Sequence, residues 1–320
     1  MKAIHCSGYG GPDLLRLVDI AMPVPGEGEV LIRVRAASVN ALDWRLMRGK
    51  PVIARFMAGG LRKPKYAGVG RDVAGEVAAI GAGVSQFAVG DAVFGACIGA
   101  FAEYACARVD RLVPKPPQIS FEHAAAVPIA ATTALQGLRD CGRLQAGQTV
   151  LIDGASGGVG TFALQIAKAL GARVTAVCSS ANVDAARAMG ADRVIDYTRE
   201  DFVGDGVRYD LILGANAHRS LFDYRRALNE HGIYVMAGGG GAQILQGLLL
   251  APLLSLGARR KLRFVGAKLD VADLHTLQQM LAAGQITPAI ERRYALREAA
   301  DAIRHVETGH ARGKIVIVVD

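Results

Sequence analysis

The sequence predicts an α/β protein in which a doubly wound parallel sheet is inserted into a β-rich domain. Three observations carry that prediction. From Thr149 onward, short apolar runs alternate with helix-like stretches. A glycine-rich turn, "GASGGVG" (Gly154–Gly160), joins the first of these runs to its helix. The chain closes on "GKIVIVV", a strand-like run that follows a helix and has no partner near it in sequence.

Taken in order, the first half offers β-type runs, "VLIRVRAASV" and "GEVAAIGAGV", separated by Gly and Pro turns. "VPKPP" (Val113–Pro117) reads as a stiff connector. "TVLID" is then short and apolar, as a buried parallel strand should be. The helix from about Gly158 to Leu170 carries Phe162, Leu164, Ile166 and Leu170. "RVTAVC" is the second strand and "NVDAARAMG" a helix closed by Gly190. "RVIDY", "YDLIL", "IYVMAG" and "LRFVGA" follow as strands, with helices between most of them. Such alternation requires right-handed crossovers and a doubly wound sheet. The terminal strand must join some other sheet, and the N-terminal half offers one. The expected domains are therefore 1–122 with 267–320, and an inserted nucleotide domain at 123–266.

The chain of 320 residues carries a net charge of +8, but its basic residues are scattered, so nucleic-acid binding is not expected. Five cysteines, far apart and without a CxxC, argue against a disulfide framework and for the reducing cytoplasm. The N-terminus lacks the apolar core of a signal peptide. The most apolar stretch, Ile244–Leu256, contains Pro252 and is too short to span a bilayer. It reads as an amphipathic helix burying one face, with a dimer surface or membrane-surface contact as alternatives.

The glycine turn carries the first chemistry. Ala155, Gly157 and Gly160 fit A-x-G-x-x-G between an apolar strand and an apolar helix. Ser156, Gly158 and Val159 complete the loop. Gly157 lets phosphates approach the backbone, Gly160 lets helix pack on strand, and the helix N-terminus offers N–H groups to the anion. An enzyme that selects NAD places an acid at the end of the second strand. Here that place holds Cys178, Ser179 and Ser180, followed by Asn182. Hydroxyls there favour the 2′-phosphate of NADP(H), with Tyr197 adding another from the next strand end.

These residues resemble the medium-chain dehydrogenase/reductase superfamily, in its zinc-free quinone-reductase-like branch. "ASVNALDWRLMRG", "GRDVAGEV", "VPIAATTALQGL", "GASGGVG", "GADRVIDY" and "GHARGKIVI" recur there in this order. The resemblance implies a GroES-like catalytic domain, a Rossmann domain, NADPH, a quinone or conjugated carbonyl as substrate, and often a homodimer. Zinc-dependent relatives carry an early catalytic Cys and a His in "GHE". Here "VNALD" lacks the Cys, and Arg71, which cannot ligate a metal, replaces the His. No metal is expected. Without a Lewis acid, a conjugated acceptor is favoured over simple alcohol oxidation, because its charge spreads into an enolate or hydroquinone.

The site residues follow partly from the resemblance, for Asn40 and Thr133, and partly from residue chemistry and strand-end position. Asn40 is expected beside nicotinamide and substrate, unless it only closes a turn. Asp43 orients a water or Arg71, or simply starts a helix. Arg71 ion-pairs with Asp72 or Asp43, or contacts substrate. Trp44 walls the substrate pocket or packs in the core. Thr133 approaches the carboxamide; Ala215 and Gly238 line the cofactor crevice from strand ends. Ala267 and Lys268 follow the sixth strand toward the nicotinamide end, and Lys314 reaches the cofactor or a surface carboxylate. Water is the expected proton donor. The expected activity is NADPH-dependent, zinc-independent reduction of quinones or enones. An aldehyde or ketone reductase and a redox-silent NADPH-binding sensor or partner-binding protein are the alternatives.

Overall fold

The computed structural model describes residues 1–57 and 59–320, side chains at Ile53, Met57, Ala242, Ile244, Leu245, Leu248 and Pro252 excepted. The chain forms two compact units, Met1–Ile129 with Leu269–Gly284 and Pro288–Asp320, and Ala130–Lys268 with Gln285–Thr287.

In the first unit β1 (Lys2–Cys6) pairs antiparallel with β2 (Leu15–Asp19). A larger sheet uses β3 (Glu29–Val39), β4 (Asp72–Ile80), β5 (Ala92–Ala96), β6 (Tyr104–Arg108) and β7 (Leu112–Pro114). Val113 and Pro114 therefore end a strand instead of forming a connector. Ile32, Val34, Val73, Val77 and Val93 are buried in one core, with Phe101 beside them.

The second unit holds β8 (Thr149–Asp153), β9 (Arg173–Cys178), β10 (Arg193–Asp196), β11 (Tyr209–Gly214), β12 (Leu228–Met236) and β13 (Lys261–Phe264). They run in the order β10-β9-β8-β11-β12-β13, all parallel. This is the doubly wound order of a Rossmann sheet, reversing direction at β8. β12 begins five residues before the expected "IYVMAG", because Leu228 pairs with Tyr209 ahead of a register shift. Both faces of the sheet are covered, which is why its strands read as apolar runs. Beneath it Tyr224 stacks on Tyr234 at 4.3 Å between centroids.

The chain then returns to the first unit with β14 (Ile290–Ala295) and β15 (Lys314–Val318), giving the order β14-β15-β3-β4-β5-β7 with β6 beside β3. The terminal run thus finds its partner in β3, where Ile315 pairs with Val39.

The apolar stretch lies in one helix, Gly241–Ser255. Ala251 is buried and Leu254 packs on the core, while Leu249 and Leu253 stay exposed. Its outer face is leucine-rich, not polar as an amphipathic helix requires; the side chains of Ile244, Leu245, Leu248 and Pro252 lie outside the described residues. No helix among the described residues is long and apolar enough to cross a membrane.

Candidate active site

Strand register assembles a buried polar cluster in the first unit. β3 and β4 place Ser38 opposite Asp72, and β15 brings Lys314 beside the end of β3. The Asp72 carboxylate accepts from Ser38 Oγ at 2.7 Å, Asn40 Nδ2 at 2.8 Å and the Ile129 N–H at 3.0 Å. Lys314 Nζ donates to Asn40 Oδ1 at 2.6 Å and lies 3.5 Å from Asp72 Oδ2. Asp72 is 0% exposed and Lys314 2%. Burial pushes the Asp72 carboxyl up and the Lys314 ammonium down, and each opposes the other's shift by attraction.

This arrangement bears on three expectations. Both ends of the Asn40 amide are engaged in the cluster, Nδ2 by Asp72 and Oδ1 by Lys314, and Nδ2 carries a second N–H besides the one given to Asp72. Lys314 meets a buried carboxylate, not a surface one. Asp72 takes Lys314 as its cation, while Arg71 has no ion-pair or hydrogen-bond partner for its side chain among the described residues.

Asn40 is also the N-cap of the helix Ala41–Arg48, and Asp43 Oδ2 accepts its backbone N–H at 2.7 Å. This acid at the third helical position completes half of a capping box and suits the positive end of the helix. Asp43 Oδ1 has no hydrogen-bond partner among the described residues. Burial, reinforced by the neighbouring Asp72, raises its carboxyl to about 7, although the Asn40 N–H and the charges of Arg71 and Lys314 pull the other way. Asp43, Leu46 and Met47 share one face of the helix and line a cavity of about 130 Å³, with Arg71, Val69 and Ile98 across it. Trp44 is turned off that face by the helical rotation. It packs partly on the core with the Arg45 guanidinium 5.1 Å over its ring, so it does not wall this cavity.

In the second unit the glycine turn sits where β8 meets the helix Gly158–Ala169. Gly154 has φ +80°, which a side chain would strain. A Cβ on Gly160 would overlap the Gly154 carbonyl oxygen. Gly157 is the N-cap, with no side-chain hydrogen bond closing the helix start. The N–H groups of Gly158, Val159 and Gly160 therefore stand at an open helix terminus, beside Ser156 and the fully buried Ala155. Ala215 N donates to Asp153 O at 2.8 Å and Gly238 N to Gly214 O at 3.0 Å, which sets both at the strand ends beyond β11 and β12. Thr133 lies buried in the helix Pro128–Gln136, next to Thr132, whose buried hydroxyl has no partner. Ala267 and Lys268 are exposed beyond β13, and Gln136 brackets the Lys268 backbone with bonds of 2.7 and 3.0 Å.

The end of β9 departs from expectation. Ser180 Oγ donates to Asp196 Oδ2 at 2.5 Å, and Thr198 donates to Asp196 Oδ1 through both N and Oγ1. The acid missing from β9 thus stands on β10, whose Asp196 pairs with Cys178. These hydrogen bonds, Ser180's first, lower the Asp196 carboxyl and keep it ionised. Ser180 is consequently not free to donate to a 2′-phosphate. Asn182 Nδ2 donates to Ser179 Oγ at 2.9 Å, which leaves the Ser179 hydroxyl hydrogen available. Tyr197 is exposed, and Arg199 lies 3.6 Å from Asp196, a cation that the β9 loop itself lacks.

Among the described residues no three His, Cys, Asp or Glu side chains converge at metal-binding range. The second unit fits a dinucleotide: a helix start with no side-chain cap hydrogen bond, strand-end backbone on either side, and an orphaned hydroxyl at Thr132.

Residues 26–117 match the alcohol dehydrogenase GroES-like domain and residues 189–317 a family described as zinc-binding dehydrogenase. The quinone-oxidoreductase homolog, chloroplastic, of Spinacia oleracea is 31% identical over 99% of this chain and 98% of its own. The NADPH-dependent alkenal/one oxidoreductase, chloroplastic, of Arabidopsis thaliana is 31% identical over 99% of this chain and 79% of its own. The solved quinone oxidoreductase of Coxiella burnetii superposes with a TM-score of 0.87 at 30% identity, covering 100% of this chain and 99% of that one. With a GroES-like match, a Rossmann sheet and whole-length relatives, the chain belongs to the medium-chain dehydrogenase/reductase superfamily, in its quinone-oxidoreductase-like branch.

Proposed function

We propose that this chain is an NADPH-dependent, zinc-independent reductase that transfers hydride to quinones or α,β-unsaturated carbonyl compounds. The open, glycine-built start of the helix Gly158–Ala169 carries the reading, because it supplies free N–H groups where a pyrophosphate needs them. The names of the whole-length relatives, quinone oxidoreductase and alkenal/one oxidoreductase, support the acceptor class. NADPH supplies the hydride when bound. Ser179, Tyr197 and Arg199 meet its 2′-phosphate, with Arg199 offsetting the charge of Asp196.

Within the first unit the acceptor occupies the cavity beside Asp43 and Arg71. Hydride addition at the β-carbon leaves an enolate, which needs a proton. Asp43 Oδ1 delivers it, because a carboxyl raised to about 7 is still substantially protonated at neutral pH. In this reading Asp43, not water, is the donor. Arg71, standing where zinc-dependent relatives carry a histidine ligand, supports a mechanism without zinc. We place the enzyme in the cytoplasm, in keeping with five free cysteines, and as a homodimer, a trait common in the superfamily.

The test is oxidation of NADPH and of NADH, followed at 340 nm, with chelator-treated protein and a panel of quinones and enones. NADPH-selective loss of absorbance is expected. Tight NADPH binding without oxidation by any acceptor would leave a nucleotide-binding protein and no reductase.

A further inference from the structure

The cavity in the first unit joins an apolar wall to polar groups, among them the Arg71 guanidinium, which has no hydrogen bond or ion pair among the described residues. Leu46, Met47, Val69 and Ile98 supply apolar surface, and Arg71 and Asp43 supply charge. The backbone of Arg71 is fixed, its carbonyl accepting the Cys97 N–H at 2.9 Å. Its side chain makes no hydrogen bond or ion pair among the described residues, whereas Asp43 has one oxygen engaged by the Asn40 N–H. Arginine is charged at every accessible pH and offers five donors in a planar fork. Such a group, facing a small cavity in which Asp43 forms no ion pair with it, suits a planar anion. A cavity of about 150 Å³ holds a benzene ring. At about 130 Å³ this one takes a single ring or a short chain.

We infer that the acceptor is a small unsaturated carboxylate, a short oxo-enoate or single-ring quinone acid, whose carboxylate lies on the Arg71 fork and whose carbon skeleton lies against Met47, Val69 and Ile98. The inference rests on the reductase reading and narrows its substrate class. A two-point contact between guanidinium and carboxylate fixes orientation as well as affinity, so Arg71 decides which acceptors are reduced, while Asp43 serves the reaction.

Crotonate and crotonamide make a matched pair of probes, equal in shape and differing in charge. Their binding to the full chain without cofactor is measured by ligand-observed NMR, with protein folding checked by thermal unfolding. Crotonate should bind at least about tenfold tighter than crotonamide. Arg71→Met should weaken crotonate about ten- to hundredfold, the range of a hydrogen bond to a charged group, and leave crotonamide within about twofold. Arg71→Lys, which keeps the charge and loses the fork, should fall between, and it carries the test if Arg71→Met does not fold. Ile98→Trp, filling the cavity from its exposed rim, should abolish binding of both. Equal affinities in the wild-type protein, no detectable crotonate binding, an undiminished crotonate preference in the Arg71 variants, or crotonate binding that survives Ile98→Trp would each overturn the assignment. Because no turnover is read, failure here is distinct from failure of the reductase reading, which shows only in NADPH consumption.

Discussion

Replacing Lys314 by Met removes the one cation that contacts Asp72 in the buried cluster, and the size of the effect can be bounded. Asp72 keeps three donors, Ser38, Asn40 and the Ile129 N–H, but loses the charge 3.5 Å away. Breaking a buried pair from one side typically costs about 3–5 kcal/mol. The carboxyl has a second option, which is to take up a proton. At pH 7 this costs about 1.4 kcal/mol for each unit above an ordinary aspartate value near 3.9, so about 4 kcal/mol. The loss is therefore capped near 4 kcal/mol at pH 7 and about 1.5 kcal/mol at pH 5. The sign is fixed: a carboxyl raised by the mutation stabilises the fold below its unfolded value and loses that contribution as pH rises. For a unit of this size about 2–4 °C accompanies each kcal/mol, so the melting temperature should drop about 8–16 °C at pH 7 and about 3–6 °C at pH 5. Thermal unfolding at the two pH values reads this directly. Pairing Lys314→Met with Asp72→Asn should abolish the pH dependence of the loss, since the amide does not titrate, and recover only part of it, because its NH2 end cannot accept the bonds that one carboxylate oxygen takes. A penalty independent of pH, or below about 1 kcal/mol at both values, would refute the assignment of Lys314 as the cluster's counter-charge.

Other consequences can be checked in the same protein. Asp43, at about 7 when folded and near 3.9 when unfolded, stabilises the fold fully below pH 4 and loses that contribution as pH rises through 7, so Asp43→Asn should flatten the decline in stability between pH 5 and pH 8. The same variant should lower kcat about a hundredfold, the smaller end of general-acid effects, and remove a fall in rate above pH 7; a wild-type-like profile would dismiss Asp43 as proton donor. Arg199→Ala should raise KM for NADPH about tenfold and leave NADH nearly unchanged, while Asp196→Asn should shift preference further toward NADPH; parallel changes with both cofactors would remove this strand end from the selectivity argument. Gly160→Ala, whose new methyl overlaps the Gly154 carbonyl, should lose nucleotide binding measured by calorimetry and about 1–3 kcal/mol of stability in urea unfolding.

What could be read from sequence divides along a physical line. The strands β8 to β11 were legible because a sheet covered on both faces demands unbroken apolar runs, and the glycine turn because its constraint spans only seven residues. Of the two expectations for Trp44, core packing is the one that helix geometry favours, since 43, 46 and 47 share a helical face and 44 does not. Asp196 was within reach as well, since β9 and β10 are neighbours in register and their last residues, Cys178 and Asp196, stand side by side. The Asn40–Lys314 contact joins residues 274 apart in the chain, and no local pattern encodes it. Yet a signal was present. Asp72 opens one buried strand and Lys314 another, and a charge in such a place must be answered from elsewhere in the same core. An acid and a base in that position, on strands that both border β3, are each other's nearest available answer. By the same reasoning Arg71, next to Asp72 but without a hydrogen bond or ion pair among the described residues, is answered within this unit only through the longer-range charge of Asp43.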